Sequence, residues 1–198
     1  MILIVDNYDS FTYNLVDMIA QKEEVMIKYP DDPSIYNLNI DGVIISPGPG
    51  HPLDTDDLMQ IIDHYKNKPI LGVCLGSQAL TCYHGGDVIQ CDYIKHGKKD
   101  QMRITKETLL YTDIPEYSEI MRYHSLMSNP QTLPETLTIT AQTEDCIQSF
   151  EHTQFLHYGI QYHPESFATE HGKQIINNFL NIMKEVTEDG ATNTIKTI

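Results

Sequence analysis

Between Met1 and Tyr83, short apolar runs alternate with stretches of helical periodicity, and this alternation constrains the fold more than any other feature. Ile2–Val5 reads as a buried strand. Phe11, Leu15, Met18 and Ile19 then recur at helical spacing, with Asp9 or Ser10 placed to cap the helix. Val25–Tyr29 and Gly42–Ser46 read as further strands. Asp54–Asp57 supply capping and dipole-compatible charge to a helix carrying Leu58, Ile61 and Ile62, and Ile70–Cys74 and Gly76–Tyr83 form the next strand and helix. The expectation is an α/β fold with a mostly parallel sheet flanked by helices on both faces.

From Gly85 the pattern changes. Strand-like runs follow one another near Val88–Ile89, Met102–Ile104, Ile120–Tyr123, Leu137–Ala141, Ile147–Phe150 and His157–Gln161, joined by segments rich in Pro, Asn, Thr and Gly. The second half therefore reads as an antiparallel β portion joined to the same sheet, making it mixed. Ile175, Ile176, Phe179, Leu180 and Met183 close a single domain, residues 1–186, with an amphipathic helix. Thr187–Ile198 is polar and aperiodic and reads as a flexible tail.

Charge excludes some partners. With 28 acidic residues against 13 scattered Lys and Arg, and a formal charge of −15, no nucleic acid or anionic membrane is expected as the main partner. Met1–Val5 is too short for a signal core and lacks a basic start, so the expected location is cytoplasmic. Cys74, Cys82, Cys91 and Cys146 form no C-x-x-C pair and no zinc-like spacing. No metal and no cofactor is expected, and one chemically special thiol among reduced ones fits the set.

Gly72-Val73-Cys74-Leu75-Gly76 follows a strand and opens a helix, the arrangement of a nucleophile elbow with sulfur in place of a hydroxyl. Glycines flank the nucleophile because a Cβ there would crowd the adjoining strand and helix. The helix points its positive end at the sulfur and favours thiolate, while the Leu75 N–H is placed for an oxyanion hole. In Gln161-Tyr162-His163-Pro164-Glu165-Ser166, His163 could take and return a proton, and Glu165 could fix its tautomer, whether the segment is a strand or a turn. Ser46-Pro47-Gly48-Pro49-Gly50 reads by default as a rigid turn, and in the functional reading its glycines let backbone approach a ligand. Its prolines carry no N–H, so a second oxyanion donor must be Gly48 or Gly50, of which Gly48 is preferred.

Taken together with Asp6-Asn7-Tyr8-Asp9-Ser10-Phe11-Thr12-Tyr13-Asn14-Leu15, Gln78, His96-Gly97-Lys98, Arg122-Tyr123-His124-Ser125-Leu126 and Thr169-Glu170-His171-Gly172, these motifs resemble the class I glutamine amidotransferases. The likeness is to the small subunits of anthranilate and aminodeoxychorismate synthases, over roughly residues 1–184. It implies a flavodoxin-like sheet, Cys74 as nucleophile, His163 as base and Glu165 as its orienter. It also implies that Gly48, Pro49, Gly50, Gln78, Ser125 and Leu126 hold L-glutamine. Ammonia would pass to a chorismate-binding synthase subunit, docked in part on Asp6, Asn7, Tyr8, Asp9 and Ser10, a segment that could equally serve to cap the first helix. Ser77 stands where the family usually has His, and Tyr162 where it usually has Phe. A cysteine peptidase of similar fold would lack the contacts of Gln78, Ser125 and Leu126, and a scaffold subunit would be expected to have lost Cys74, His163 or Glu165.

Overall fold

A computed structural model describes residues 1–195, the side chains of Ile94 and of residues 187–195 excepted. One nine-stranded sheet runs in the order β2-β1-β3-β4-β9-β8-β7-β5-β6. Strands β1 (Ile2–Val5), β2 (Val25–Lys28), β3 (Gly42–Ile45), β4 (Ile70–Val73) and β9 (His157–Ile160) are parallel. The antiparallel strands β8 (Ile147–His152), β7 (Leu137–Gln142), β5 (Val88–Ile104) and β6 (Tyr117–Ser128) extend it.

Every residue of β1, β3, β4 and β9 is buried; the first three are continuously apolar, as strands covered by helices on both faces usually are, while β9 buries His157 with its ring nitrogens hydrogen-bonded. Alternate side chains then divide two cores. Ile2, Ile4, Ile44, Leu71 and Val73 pack beneath α1 (Thr12–Ala20) and α4 (Gly172–Ile195), against Leu15, Ile19, Ile175, Phe179 and Met183. Leu3, Val5, Val43, Ile45 and Ile70 meet α2 (Asp57–His64) and α3 (Leu75–Tyr83) through Leu58, Ile61, Ile62, Ala79 and Leu80. The chain leaves β1 toward β2 on one side and returns to β3 on the other, so the loops after β1 and β3 diverge. Such a switch point opens a crevice at the carboxyl edge of a parallel sheet.

Several expectations need correction. The runs at Val88–Ile89 and Met102–Ile104 belong to one long strand, β5, broken by register shifts between Gln90 and Lys95 and between His96 and Lys98. Asp92, Tyr93, His96, Lys98 and Lys99 between them are exposed, so no burial periodicity marks the strand. Neither Asp9 nor Ser10 is the cap of α1. Phe11 occupies that position without a side-chain bond, while the Asp9 carboxylate accepts from the Phe11 N–H. Asp56 likewise precedes α2 without capping it. The backbone of α4 is helical to Ile195, over most of the stretch read as a tail from Thr187; residues 196–198 lie outside the described residues.

Far from the carboxyl edge, the His84 ring at the end of α3 donates through Nε2 to Nδ1 of His157 at 2.9 Å, and His157 donates through Nε2 to the Lys66 carbonyl at 2.9 Å. His152 lies against His84, with ring centres 4.2 Å apart. Burial, aided by His152 and His157, lowers the His84 pKa from 6.5 to about 3. Burial also holds His157 near 4 and lowers His152. The unfolded chain therefore takes up protons below pH 6.5 that the folded chain refuses, and stability falls as pH drops from 6.5 toward 4. We expect the urea midpoint to decline over that window. His84→Gln, which keeps the donor without titrating, should reduce the slope by up to one proton. An unchanged slope would remove His84 from the account.

Candidate active site

Cys74 sits between β4 and α3 at φ 53° and ψ −103°, a strained conformation for a residue with a Cβ, costing about 1–3 kcal/mol. The fold holds it there. Its N–H donates to the Ile160 carbonyl at 2.8 Å, and its own carbonyl accepts from Gln78 at 3.1 Å. A Cβ on Gly72 would lie 2.3 Å from the Gly76 carbonyl oxygen, and one on Gly76 would lie 2.3 Å from that of Ile45. Backbone oxygens cannot give way as flexible side chains do, so the tight turn requires both glycines. Cys74 is the residue preceding α3, where backbone N–H groups have no intrahelical acceptor and the helix dipole is positive.

His163 and Glu165 lie in a turn after β9, which resolves the choice between strand and turn. The turn is fastened to β6: the His163 N–H donates to the Met121 carbonyl at 3.1 Å. Thr169 Oγ1 donates to the His163 carbonyl at 2.6 Å and accepts from the Met121 N–H at 3.0 Å. His163 Nδ1 donates to Glu165 Oε1 at 2.6 Å, and both residues are buried. Nε2 on the far side of the ring is buried beside Cys74, in a contact short of full hydrogen-bond geometry. Burial alone would lower the His163 pKa. Interaction with the Cys74 sulfur and the Glu165 carboxylate outweighs it and pushes the value up to about 10. The edge-on rings of Tyr123 and Phe11 wall the imidazole, with centroids 5.1 and 6.0 Å away.

The remaining site residues fall into two groups. Gln78 is buried, and its Nε2 donates to the Leu126 carbonyl at 2.9 Å and to Gln161 Oε1 at 3.1 Å. Gln161 Nε2 in turn donates to Cys74 Sγ at 3.5 Å. Gly48, half-buried, backs onto Asn7 and the Leu75 side chain, so the two expected oxyanion donors belong to neighbouring residues. Ser125, Pro49 and Gly50 are exposed at the rim. Pro49 and Leu75 help line an open cavity of about 260 Å³ with Tyr8, Asp31 and Asp57.

Of the segment expected to meet a partner, Asp6 and Asn7 are buried. Asp6 accepts from Thr12 Oγ1 at 2.9 Å, and Asn7 bonds Ser46 through its N–H at 3.0 Å and its side-chain amide at 2.8 Å. Tyr8, Asp9 and Ser10 reach the surface, and Tyr8 adopts φ 60° with its ring stacked on Tyr29 at 4.7 Å. Ser77 is buried within α3, and the extra hydroxyl of Tyr162 pairs with that of Tyr111 at 3.1 Å. Sequence reasoning placed Gln161, Thr169, Tyr123 and Phe11 inside motifs but gave them no role in the site, because each such role depends on a neighbour distant in the chain.

Comparison with known proteins shows what the chain is similar to. The family description "Glutamine amidotransferase class-I" matches residues 3–183. An anthranilate synthase component II of Haloarcula marismortui is 40% identical over 90% of this chain and 96% of its own length. An aminodeoxychorismate/anthranilate synthase component 2 of Bacillus subtilis is 39% identical, covering 91% of this chain and 95% of that protein. Among solved structures, a Thermoplasma acidophilum protein described as part of a GMP synthase superposes with a TM-score of 0.88 at 26% identity, covering 96% of both chains. The chain belongs to the class I glutamine amidotransferase family.

Proposed function

We infer that this chain is the glutaminase component of a two-component synthase acting on chorismate, with anthranilate as the favoured product. The observation that carries the chemistry is Cys74 held at the start of α3 beside a buried His163 already bonded to Glu165. Thiolate attack on the glutamine side-chain amide gives a tetrahedral oxyanion, which the Leu75 and Gly48 N–H groups are proposed to receive. His163 gives its Nε2 proton to the departing ammonia, and Glu165 stabilises the imidazolium until then. His163 next takes a proton from water, which attacks the thioester, and glutamate leaves as Cys74 is regenerated.

Relatives about 40% identical are named as anthranilate synthase components, which favours chorismate over the GMP-forming partner implied by the more distant structural neighbour. The dual name of the Bacillus subtilis relative supports the second reading, a component that also or instead serves aminodeoxychorismate formation. Co-purification with the synthase component, followed by identification of the product from chorismate and glutamine, decides between them. Recovery of neither product would overturn the reading.

Gln78, Ser125, Leu126 and the Gly48-Pro49-Gly50 turn are proposed to hold the substrate. Both N–H groups of the Gln78 amide are occupied, so what it can offer glutamine is its oxygen, an acceptor suited to the α-ammonium group. Gln78→Ala should therefore raise KM for glutamine about tenfold, the worth of one directed hydrogen bond to a charged group, while kcat falls much less. Steady-state kinetics with the synthase present check this, and an unchanged KM would take Gln78 out of the substrate site.

A further inference from the structure

The Leu126 carbonyl oxygen can only accept, and this decides the direction of a whole chain of hydrogen bonds. His124 Nδ1 lies 2.9 Å from it and Gln78 Nε2 also lies 2.9 Å from it. The His124 tautomer is fixed independently. Arg122, fully buried between Asp100 and Asp145, directs Nε at His124 Nε2 over 3.1 Å. A guanidinium has no acceptor, so His124 Nε2 must accept and Nδ1 must carry the proton given to Leu126. The Leu126 oxygen therefore faces the nitrogen of the Gln78 amide. That nitrogen also reaches Gln161 Oε1, which leaves the Gln161 nitrogen turned toward Cys74 Sγ.

We propose that Gln161 is a catalytic residue that donates an N–H to the Cys74 sulfur and stabilises it as thiolate, and that Gln78, anchored by the Leu126 carbonyl, is the positioning residue that keeps the Gln161 amide from turning over. The proposal rests on the reading of Cys74 as nucleophile. The sulfur then has the Gln161 donor beside the adjacent His163 Nε2, both carried by the segment that follows β9. When His163 gives its proton to ammonia, Gln161 still faces the sulfur. The reversed amide would place an oxygen against a thiolate, a repulsive contact that the Gln78 anchor further disfavours. A hydrogen bond to the charged form of a group favours that form.

The test uses the full chain and reads Cys74 directly through alkylation by iodoacetamide from pH 6 to 9, mapped by mass spectrometry. Burial pushes Cys82 up to about 11 and Cys146 to about 12 and raises Cys91, so labelling near neutrality reports on Cys74. Gln161→Met and Gln161→Glu should slow alkylation at pH 7 by about ten- to a hundred-fold, as expected for a lost charge-assisted hydrogen bond, and move its profile to higher pH. kcat for glutamine should fall by a similar factor, with KM within about threefold, since the contact is to the enzyme's own sulfur. Gln78→Ala should slow alkylation by only about twofold, because a freed amide still points its N–H at the sulfur about half the time.

Native alkylation rates in both folded Gln161 variants would overturn the proposal. If neither variant folds, the side-chain amide protons of Gln161 in the native chain, followed by NMR, must shift on alkylation of Cys74, and unmoved signals would overturn it equally. Should Cys74→Ser hydrolyse glutamine at the native rate, the nucleophile assignment fails first. If Cys74→Ser is inactive and the Gln161 variants alkylate normally, only the present proposal fails.

Discussion

Replacing Cys74 by Ser is expected to lower kcat for glutamine hydrolysis by about 10⁴-fold or more while leaving the fold and the ammonia-dependent synthase reaction in place. The magnitude follows from losing the nucleophile of a unit whose members act together. A serine hydroxyl is not ionised near neutral pH, and the elbow is built around sulfur that takes its proton partners from His163 and Gln161. The fold should survive because the substitution removes no buried methylene and creates no Cβ clash, and the positive φ is borne by the backbone alone. The measurement is glutamate release beside product formation with ammonium salt, both in the presence of the synthase component. Native glutamine hydrolysis by Cys74→Ser would show that another group attacks. Cys82, Cys91 and Cys146, whose burial disfavours thiolate, should each tolerate replacement by Ala with small effects on kcat.

The parallel core was legible because its cause is local. A strand buried on both faces tends to be continuously apolar, and Ile2–Val5 and Ile70–Val73 are. The elbow was legible for a similar reason, since Gly72 and Gly76 record in sequence a backbone approach that any Cβ would block. What was hidden depends on partners remote in the chain. The middle of β5 faces solvent, and so carries no hydrophobic period to read. The buried Arg122 could not be placed without its partners. Burial alone would raise the Asp145 pKa, yet hydrogen bonds from Arg122 and Thr143 hold it at about 2. How Asp6–Ser10 divides between interior and surface was hidden for the same reason. Asp6 and Asn7 are spent on Thr12 and Ser46, partners that lie six and thirty-nine residues away in the chain.

That buried half of the loop gives a physical route for the second large effect, activation of the glutaminase when the synthase docks by about 10²–10³-fold in kcat, the worth of one oxyanion donor. Tyr8, Asp9 and Ser10 are accessible, and Asn7, next in the chain, grips Ser46 by both its backbone and its side chain. Ser46 Oγ donates to the Pro47 carbonyl at 2.8 Å, and Gly48 rests on Asn7 itself. A shift at Tyr8 therefore reaches the turn that carries the second expected donor in two residues, without crossing the core. Gly48 and Gly50 can rotate at low cost, and Gly50 is already at φ 81°. The synthase can drive the turn only by binding its aligned state better than the other, so Tyr8→Ala should weaken both docking and activation, while leaving the rate of the free chain unchanged. The decisive comparison is kcat for glutamine hydrolysis by the chain alone and with saturating synthase component plus chorismate. Equal rates would mean that the hole is complete in the free chain and that Asn7 serves only to hold two loops together.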